Sequence, residues 1–238
     1  MIWLVPASIV AAYLIGSIPF GLLVGWTRGV DIRRQGSGNI GATNAGRVLG
    51  LRYFWYVFLL DLIKGFLPVL ASDLWTRQRF APLWIPLATG AAAIAGHLFP
   101  IYLKFRGGKG IATSFGALLG VWPIFTLAAL GAAMMFALVV MAYRIISAAS
   151  LAGAVTFAAL VPLVGHWLGP VDGWLYPLPW NRLMPLLWTS WLLLAVIIWK
   201  HRGNIRRLLK GTEPRWGQTA AGSVQPLPPH KNVPAPPG

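Results

Sequence analysis

The sequence predicts an all-α membrane protein, a polytopic bundle of about seven helical segments of which one or more are short or broken. Apolar residues make up 57% of the 238 residues and charged residues only 11%, which is far from the composition of soluble domains. Several apolar stretches reach the ~20 residues that cross a hydrocarbon core about 30 Å thick. The formal charge of +15 is interpreted as the excess of Lys and Arg on cytoplasmic loops. Nucleic-acid binding is not predicted, because no basic stripe interleaved with aromatics lies outside the apolar stretches.

Six apolar stretches supply the predicted membrane segments. Five of them have the length of one crossing and cover residues 2–26, 51–72, 83–103, 151–168 and 183–199. The sixth, residues 111–143, would form a helix about 50 Å long, which exceeds the thickness of the bilayer. We therefore predict two segments there, with a break near Trp122 and Pro123. The first stretch lacks a basic leading segment, so we interpret it as a retained membrane span and not as a cleaved signal peptide.

The distribution of Lys and Arg supports this break. With seven segments, most basic loop residues fall on one side of the membrane, and only Arg77, Arg79 and Arg182 fall on the other. With six segments, the basic stretch after residue 199 would lie on the outer side, against the bias of Lys and Arg toward the cytoplasm. The sequence therefore predicts one membrane domain over residues 1–215. The Pro-rich residues 216–238 are predicted to form a disordered tail.

The segment from Gly36 to Asn44 combines glycines with hydrogen-bond donors between two apolar stretches. The glycines allow an anion to approach the backbone closely, and Arg47 behind them adds a permanent charge with a bidentate fork. A plain turn between helices also uses glycine, but it does not need this density of donors. We therefore predict a phosphate-binding loop that includes Gly36, Ser37, Gly38, Asn39, Thr43, Asn44 and Arg47.

A second glycine-rich loop, Phe105-Arg106-Gly107-Gly108-Lys109-Gly110, precedes the long apolar stretch. Lys109 stands where the N-terminus of a helix adds positive potential, so this loop also favours an anion. An ATPase is disfavoured, because Gly110 occupies the position where the Walker motif places Ser or Thr for magnesium. His97, alone on an apolar segment, is interpreted as a hydrogen-bonded packing residue in preference to a catalyst.

Three smaller polar groups complete the pattern. His201 and Asn204 follow the last span and share one helical face, whereas Arg206, Arg207 and Lys210 are interpreted as binding anionic headgroups. The segment count places Arg144, Ser147 and Ser150 on the same side as the two loops. Asp61 and Lys64 share a face within the second span, where an i, i+3 ion pair offsets the cost of burying a charge in lipid. A buttress beneath the phosphate site is the alternative interpretation of that pair.

Taken in this order, the motifs resemble the bacterial membrane glycerol-3-phosphate acyltransferases that use acyl phosphate as donor, the PlsY family. The resemblance covers nearly the whole chain up to Glu213 and includes Gly16-Ser17-Ile18-Pro19 in the first span. It implies a seven-segment fold in the bacterial inner membrane with a cytoplasm-facing site. It also implies transfer of a fatty acyl group from acyl phosphate to the 1-hydroxyl of glycerol 3-phosphate, the first step of phospholipid synthesis. Membrane lipid is then a further partner, and no obligate protein partner is expected.

The resemblance also implies roles for particular residues. Glu213 corresponds to a structural glutamate of the third motif, and Gly107, Gly108 and Lys109 to residues that bind glycerol phosphate. The predicted catalytic residues are Ser37, Arg47, His201 and Asn204. The predicted substrate-binding residues are Gly36, Gly38, Asn39, Thr43, Asn44, Gly107, Gly108, Lys109, Arg144 and Ser147.

No metal or cofactor is predicted. The carboxylates are Asp31, Asp61, Asp73, Asp172 and Glu213, and they are too scattered in the sequence to form an oxygen-ligand cage. The chain has no cysteine, which excludes a thioester intermediate.

The chemistry allows two mechanisms and one rival function. No aspartate follows either His97 or His201 by five positions, which excludes the His/Asp dyad of the other acyltransferase class. We expect a phosphate oxygen of the donor to take the proton, and an acyl-enzyme on Ser37 is the alternative. The rival function is a membrane transporter for phosphorylated metabolites, because broken helices and intramembrane charges also suit transport. The glycine-rich loops have no symmetric mates, which disfavours it.

Overall fold

The computed structural model describes residues 3–79, 81–167 and 179–217, in which all regular structure is helical. The predicted tail from residue 218 onward and Asp172 lie outside the described residues. The α-helices are α1 Leu4–Gly16, α2 Phe20–Trp26, α3 Ala42–Leu49, α4 Leu51–Gln78, α5 Trp84–Leu98, α6 Ile111–Leu119, α7 Ile124–Tyr143, α8 Ile146–Trp167, α9 Trp180–Lys200 and α10 Arg202–Leu209. Short 3-10 turns cover Ile32–Arg34 and Ile101–Leu103.

Six of the described segments are long and apolar enough to cross a membrane. They are Leu4–Trp26, Leu51–Gln78, Trp84–Leu103, Ile124–Tyr143, Ile146–Trp167 and Trp180–Lys200. The predicted break in residues 111–143 is confirmed, since α6 ends at Leu119 and α7 begins at Ile124. At ~1.5 Å per residue α6 is only about 13 Å long, so it does not cross the bilayer alone.

The first predicted span is confirmed as Leu4–Trp26, but its helix is broken between Gly16 and Phe20. Pro19 cannot donate a backbone hydrogen bond, so α1 ends at Gly16 and a new helix begins at Phe20. The carbonyl of Ile18, left without a helical partner, accepts a hydrogen bond from Lys64 Nζ at 2.7 Å. Lys64 in turn pairs with Asp61 at 2.8 Å, with both side chains buried. The predicted ion pair of α4 is therefore confirmed, and it stabilises the break in the neighbouring helix.

Glycines bring α6 unusually close to α4. A Cβ added to Gly65 would collide with the backbone carbonyl of Thr113, and one added to Gly116 would collide with that of Leu62. Only hydrogen at these positions lets the two backbones approach to this distance. The contact fixes the position of α6, whose N-terminus forms part of the candidate site described below.

The described residues contain two apolar cores. The larger one lies between α6, α7, α8 and α9 and includes an edge-to-face pair of Phe125 and Phe157 with ring centroids 5.1 Å apart. The smaller one lies beneath residues 30–58 and contains Ile32, Ala45 and Phe54. Trp216 packs edge-on against Phe54 at 4.6 Å, and its backbone N–H donates to the Arg144 carbonyl at 2.5 Å. The first residue of the predicted tail thus belongs to the folded domain.

Candidate active site

A polar pocket of about 810 Å³ lies where the first loop, the N-terminus of α6, the start of α8 and the α9–α10 junction meet. Its polar lining comes from segments far apart in the sequence, as the predicted seven-segment arrangement requires. These residues are Ser37, Asn39, Thr43, Asn44, Arg47, Asp61, His97, Lys109, Ser147, Ser150, His201, Asn204, Arg207 and Glu213.

Asn44 holds the first loop in shape. Its buried side chain accepts a hydrogen bond from the Ser37 N–H at 2.8 Å and donates to the carbonyls of Ile32 and Gln35 at 2.8 and 3.1 Å. Gly36 has a φ of +59° and packs against the Asn44 amide, so only glycine fits there without strain. These bonds occupy both ends of the Asn44 amide. Asn44 is therefore placed to organise the loop around Ser37.

Two helix N-termini point toward the pocket. Gly41, Ala42 and Thr43 begin α3, and Gly110, Ile111 and Ala112 begin α6, and all of these residues line it. The unpaired N–H groups at a helix N-terminus and the helix dipole both favour an anion. The predicted helix start beside Lys109 is confirmed by the N-cap at Gly110.

Arg47 contributes an uncompensated positive charge. It is half-buried, and it makes no ion pair or hydrogen bond with the other described residues. Burial lowers the pKa of Arg47, and Glu213 opposes that shift while Arg207 adds to it. A guanidinium remains charged despite such a shift. Arg47 is therefore a pocket cation that is available to bind an anionic ligand.

Lys109 belongs to a network of hydrogen-bonded polar side chains. Its Nζ donates to Asn204 Oδ1 at 2.5 Å, and Asn204 Nδ2 donates to Glu213 Oε1 at 2.6 Å. Burial lowers the pKa of Lys109 to about 8, an effect that Glu213 opposes and the charges of Arg207 and Arg47 reinforce. The amine is thus tuned to change its charge in a range close to neutrality.

Glu213 connects most of the residues in this hydrogen-bond network. It accepts hydrogen bonds from Ser147 Oγ at 2.7 Å, Asn204 at 2.6 Å and Arg207 Nε at 2.7 Å. Burial alone would raise the pKa of Glu213, but these three hydrogen bonds and the charge of Arg207 hold it below its usual value. Glu213 therefore stays ionised and fixes residues of α8 and α10 around the pocket.

His201 faces the pocket as a neutral ring. Its Nδ1 lies 2.8 Å from the Ile197 carbonyl, and since a carbonyl only accepts, Nδ1 carries the proton. Burial lowers the pKa of His201 to about 4, and the neighbouring Lys109 ammonium adds to the shift. At neutral pH this leaves Nε2 as a hydrogen-bond acceptor.

The pocket brings together most of the predicted site residues. Ser37, Asn39, Thr43, Asn44, Arg47, Lys109, Ser147, His201 and Asn204 all line it. Gly36 and Gly38 lie behind its wall in the first loop and shape that loop through positive φ angles. Arg144 lies at the same end of the bundle but is exposed at the end of α7 and does not line the pocket. Arg144 ends α7 in a left-handed turn with a φ of 58°, and its predicted role in substrate binding stays a prediction.

Gly107 and Gly108 lie beside the pocket rather than in its lining. A Cβ on Gly107 would collide with the His97 carbonyl, and a Cβ on Gly108 would collide with the His97 ring. The Gly108 N–H donates to the His97 carbonyl at 3.2 Å. His97 itself is buried and lies 3.1 Å from Thr113 Oγ1, as its interpretation as a packing residue predicts. These glycines place Lys109 by packing against the end of α5.

Sequence reasoning underestimated Arg207. It was interpreted as a headgroup-binding residue, but its side chain pairs with Glu213 and lines the pocket. Gly211, with a φ of +68°, ends α10 and turns the chain back, which brings Glu213 against Arg207. A glycine shortly after a helical pattern and a lone glutamate two residues later was the available signal.

An apolar cavity of about 750 Å³, called here the chain cavity, adjoins the polar pocket. It extends into the bundle between α6, α7, α8 and α9, and its lining beyond the shared residues includes Leu118, Ala129, Phe157 and Leu193. The side chains that line both spaces are Phe58, Ile111, Phe136 and Ser150. A polar, cation-rich pocket thus opens onto a space suited to hydrocarbon.

Comparison with known proteins agrees with this geometry. The sequence profile of the family described as glycerol-3-phosphate acyltransferase matches residues 6–211. Glycerol-3-phosphate acyltransferases of Geotalea daltonii and Geobacter sulfurreducens are 40% and 44% identical over 205 and 206 residues, in each case 86% of this chain and 94% of the relative.

Two crystal structures of PlsY (YgiH), an integral membrane glycerol 3-phosphate acyltransferase, are also similar. The glycerol 3-phosphate form has a TM-score of 0.76 and 34% identity, and it covers 90% of this chain and 96% of its own. The lysophosphatidic acid form has a TM-score of 0.74 at the same identity and covers 90% and 95%. The chain belongs to the glycerol-3-phosphate acyltransferase family, and its fold is that of the integral membrane enzyme PlsY.

Proposed function

We propose that this protein transfers a fatty acyl group from acyl phosphate to the 1-hydroxyl of glycerol 3-phosphate, giving lysophosphatidic acid and inorganic phosphate. The observation that carries the proposal is the junction of a polar pocket containing two cations, Arg47 and Lys109, with an apolar cavity. The two similar PlsY structures, in glycerol 3-phosphate and lysophosphatidic acid forms, support the acceptor and the product.

Such a site must first overcome the repulsion between its two substrates, because both carry a negatively charged phosphate. Arg47, Lys109 and the N-termini of α3 and α6 offset the repulsion between the two anions. Arg207 adds a third cation, although Glu213 partly compensates it. Fixed charges and backbone N–H groups of this kind require no reorganisation during the reaction, so they lower the barrier when charge builds up on the carbonyl and phosphate oxygens.

The chain cavity is the proposed site of the acyl chain. It starts at Phe136 and Ser150 beside the polar pocket and continues between helices toward the Phe157 ring. Burying each methylene there is worth about 0.8 kcal/mol relative to water. The donor carbonyl would then lie at the boundary between the two spaces, within reach of a bound glycerol phosphate.

Acyl transfer needs one new bond, one broken bond and one proton transfer. The glycerol hydroxyl oxygen attacks the acyl carbon, and the bond from that carbon to the phosphate oxygen breaks with its electron pair leaving on phosphate. The hydroxyl proton moves to a phosphate oxygen of the donor, which balances the reaction without an enzyme base. The acceptor nitrogen of His201 is suited to orient the attacking hydroxyl toward the acyl carbon.

An acyl-enzyme on Ser37 is the alternative route. In the described part of the chain the Ser37 hydroxyl makes no hydrogen bond to a histidine, lysine or carboxylate that would activate it. We therefore favour direct transfer. Denaturing the enzyme during turnover with labelled acyl phosphate tests this choice, since label retained on wild type but not on Ser37→Ala would support the acyl-enzyme.

The location of the enzyme is part of the proposal. We infer that it lies in the bacterial inner membrane with the polar pocket toward the cytoplasm. The basic residues of the first loop, the second loop and α10 surround that end of the bundle, whereas Arg77 contacts the Trp122 carbonyl at the other end. We propose that the reaction uses no cofactor and no obligate protein partner.

Turnover by purified protein in detergent tests the function against the transporter alternative. Acyl phosphate and glycerol 3-phosphate should give lysophosphatidic acid and phosphate in equal amounts without an enclosed gradient. Arg47→Ala should lower this turnover by about 10²–10³-fold, while Arg52→Ala, whose guanidinium lies over Tyr53 outside the pocket, should retain it. Absence of product from folded wild-type protein, together with gradient-driven uptake of glycerol 3-phosphate into proteoliposomes, would favour transport.

A further inference from the structure

A second apolar space lies on the lipid side of the bundle between α5, α6 and α9, and we call it the lateral groove. It has a volume of about 910 Å³, and Leu87, Ile94, Leu98 and Val196 are among its walls. Leu118 and Leu193 line both this groove and the chain cavity, so these two side chains separate them. The lateral groove is thus a space distinct from the proposed acyl-donor site.

Aromatic rings and cations form one end of the lateral groove. Phe99 and Trp199 line it with ring centroids 6.3 Å apart. Lys200 Nζ lies 4.8 Å from the Phe99 centroid and 5.3 Å from that of Trp199, and Arg202 Cζ lies 5.1 Å from the Trp199 centroid. Lys200 and Arg202 flank His201 in sequence, yet neither lines the polar pocket. At the α9–α10 junction, His201 therefore faces the polar pocket, and Lys200 and Arg202 lie beside the aromatic rings at the end of the lateral groove.

These two cations have no counter-ion among the described residues. Asp31, Asp61, Asp73 and Glu213 each pair with other basic groups. Lys200 and Arg202 hydrogen-bond only to neutral carbonyls, those of Leu98 and Trp199, both at 3.2 Å. Two like charges beside one indole ring favour a bridging anion.

The length of the lateral groove matches one leaflet. Its lining runs from Leu98 to Pro86 along α5 and from Trp199 to Thr189 along α9. At ~1.5 Å per residue these distances are about 18 and 15 Å. Half of a hydrocarbon core about 30 Å thick is the same depth. An acyl chain that enters beside the cations would thus reach the middle of the bilayer.

We propose that the lateral groove binds one acyl chain of an anionic phospholipid of the bilayer, whose phosphate is held by Lys200 and Arg202. Cations that only extend toward the interface would interact with any lipid surface. A groove that ends at two uncompensated cations selects lipids by headgroup charge as well as by chain. This site does not depend on the proposed reaction.

Native mass spectrometry of the detergent-purified full chain tests the proposal. The protein is titrated with phosphatidylglycerol and, separately, with phosphatidylcholine carrying the same chains. Wild type should bind one phosphatidylglycerol about thirtyfold more tightly than phosphatidylcholine, as expected for two basic residues at a membrane interface. Lys200→Gln/Arg202→Gln should lose this preference. The matched control Arg206→Gln/Lys210→Gln removes the same charge from exposed positions on α10 and at its C-cap, and it should keep the preference.

A groove-filling variant distinguishes the contribution of the lipid's acyl chain from that of its headgroup charge. Ala91 is exposed on α5 and lines the groove, so Ala91→Phe fills it without altering any charge. It should reduce phosphatidylglycerol binding about tenfold, with a thermal unfolding temperature near that of wild type. Arg202→Gln alone retains the Lys200 bond to Leu98 and should give an intermediate preference. Equal affinity of wild type for the two lipids, or equal loss in the control variant, would overturn the site.

Discussion

The two glycine-rich loops have similar compositions, but their glycines serve different physical purposes. In the first loop, Gly36 and Gly38 have φ values of +59° and +69°, so they supply a conformation that other residues rarely adopt. In the second loop, Gly107 and Gly108 are needed for space, because a Cβ would meet the His97 backbone or ring. Conformation thus governs Gly36 and Gly38, and close packing governs Gly107 and Gly108, although Gly110 at the end of the second loop also has a positive φ of +79°.

The loops also deliver their cations differently. Arg47 lies on α3, behind the first loop, and has no partner among the described residues, whereas Lys109 lies within the second loop and donates to Asn204. The first cation is free to bind a ligand, and the second must exchange a protein partner for one or share it. The comparison predicts that Arg47 matters most to the rate and Lys109 to pH-dependent binding.

The largest effect is expected for Arg47→Ala. Loss of a fixed donor to developing charge typically lowers turnover by about 10²–10³-fold, and we expect a loss of kcat/KM in that range. Arg47→Lys should recover little, because an ammonium lacks the planar fork. Steady-state kinetics in detergent measure both variants beside Arg52→Ala. Near-normal turnover of Arg47→Ala would remove the first loop from the reaction.

Lys109 should produce a pH-dependent KM for glycerol 3-phosphate. Because the pKa of Lys109 is lowered to about 8, the ammonium is lost above that pH, and the apparent KM should rise by about tenfold or more. Bound glycerol phosphate stabilises the ammonium form of Lys109, so it will shift the midpoint of this pH dependence to a higher pH. Lys109→Arg should flatten the profile, and Lys109→Ala should show the high KM at every pH. The glycerol phosphate itself is fully ionised above its second pKa near 6, so it does not mimic this change.

Stability should move in the opposite direction to substrate binding. A lysine whose folded pKa is depressed binds fewer protons when folded than when unfolded between about pH 8 and 10.5. Lys109 therefore contributes a gain in stability as pH rises through that window.

A KM for glycerol 3-phosphate that stays constant from pH 7 to 10 in wild type would contradict the assignment of Lys109 to glycerol phosphate.

Sequence predicted one break of the fold and missed the other for a clear reason. Residues 111–143 are too long for the bilayer, so a break at Pro123 follows from length alone. Residues 2–26 fit one crossing, so length gives no reason for a break, and Pro19 alone does not predict one, because Pro68 and Pro162 lie inside continuous helices. The predicted end of α4 at residue 72 was short because the Asp73–Arg77 pair, 2.6 Å apart, extends the helix to Gln78.

Sequence located the site better than it described the roles within it. Glycines, donors and cations mark which loops bind anions, so Ser37, Arg47 and Lys109 could be chosen without coordinates. Whether a residue contacts ligand or holds another residue depends on tertiary hydrogen bonds that no spacing reveals. Asn44 and Gly108 were predicted to bind substrate, and the structure places each where it shapes a loop. Their roles toward substrate stay predictions.

Alanine at the glycines should separate the two loops through stability. Gly108→Ala should cost about 1–3 kcal/mol through overpacking against His97, and the cost should fall in a His97→Ala background. Gly36→Ala should cost at least the ~1–2 kcal/mol of a left-handed residue, and His97→Ala should not relieve it.

Gly29→Ala is the matched control for these variants. Gly29 has a φ of +67° with nothing within 4 Å of an added Cβ, so its substitution measures the conformational cost alone. Gly36→Ala should exceed it because the added methyl meets the Asn44 amide. Denaturation in detergent gives each free energy. Equal rescue of Gly36→Ala and Gly108→Ala by His97→Ala would show that the loops do not differ in the way proposed.

The smallest effect is expected from removal of divalent metal. Mg²⁺ is usually held by one or two carboxylates together with water and substrate phosphate, and neither glycine-rich loop brings a carboxylate to the pocket. The carboxylates that line it, Asp61 and Glu213, are engaged by Lys64 and by Arg207 with two further donors. Dialysis against EDTA should therefore leave kcat/KM unchanged. If EDTA removed activity and magnesium restored it, Arg47 and Lys109 would be insufficient to offset two phosphates, and the comparison of the loops would need a third, metal-borne charge.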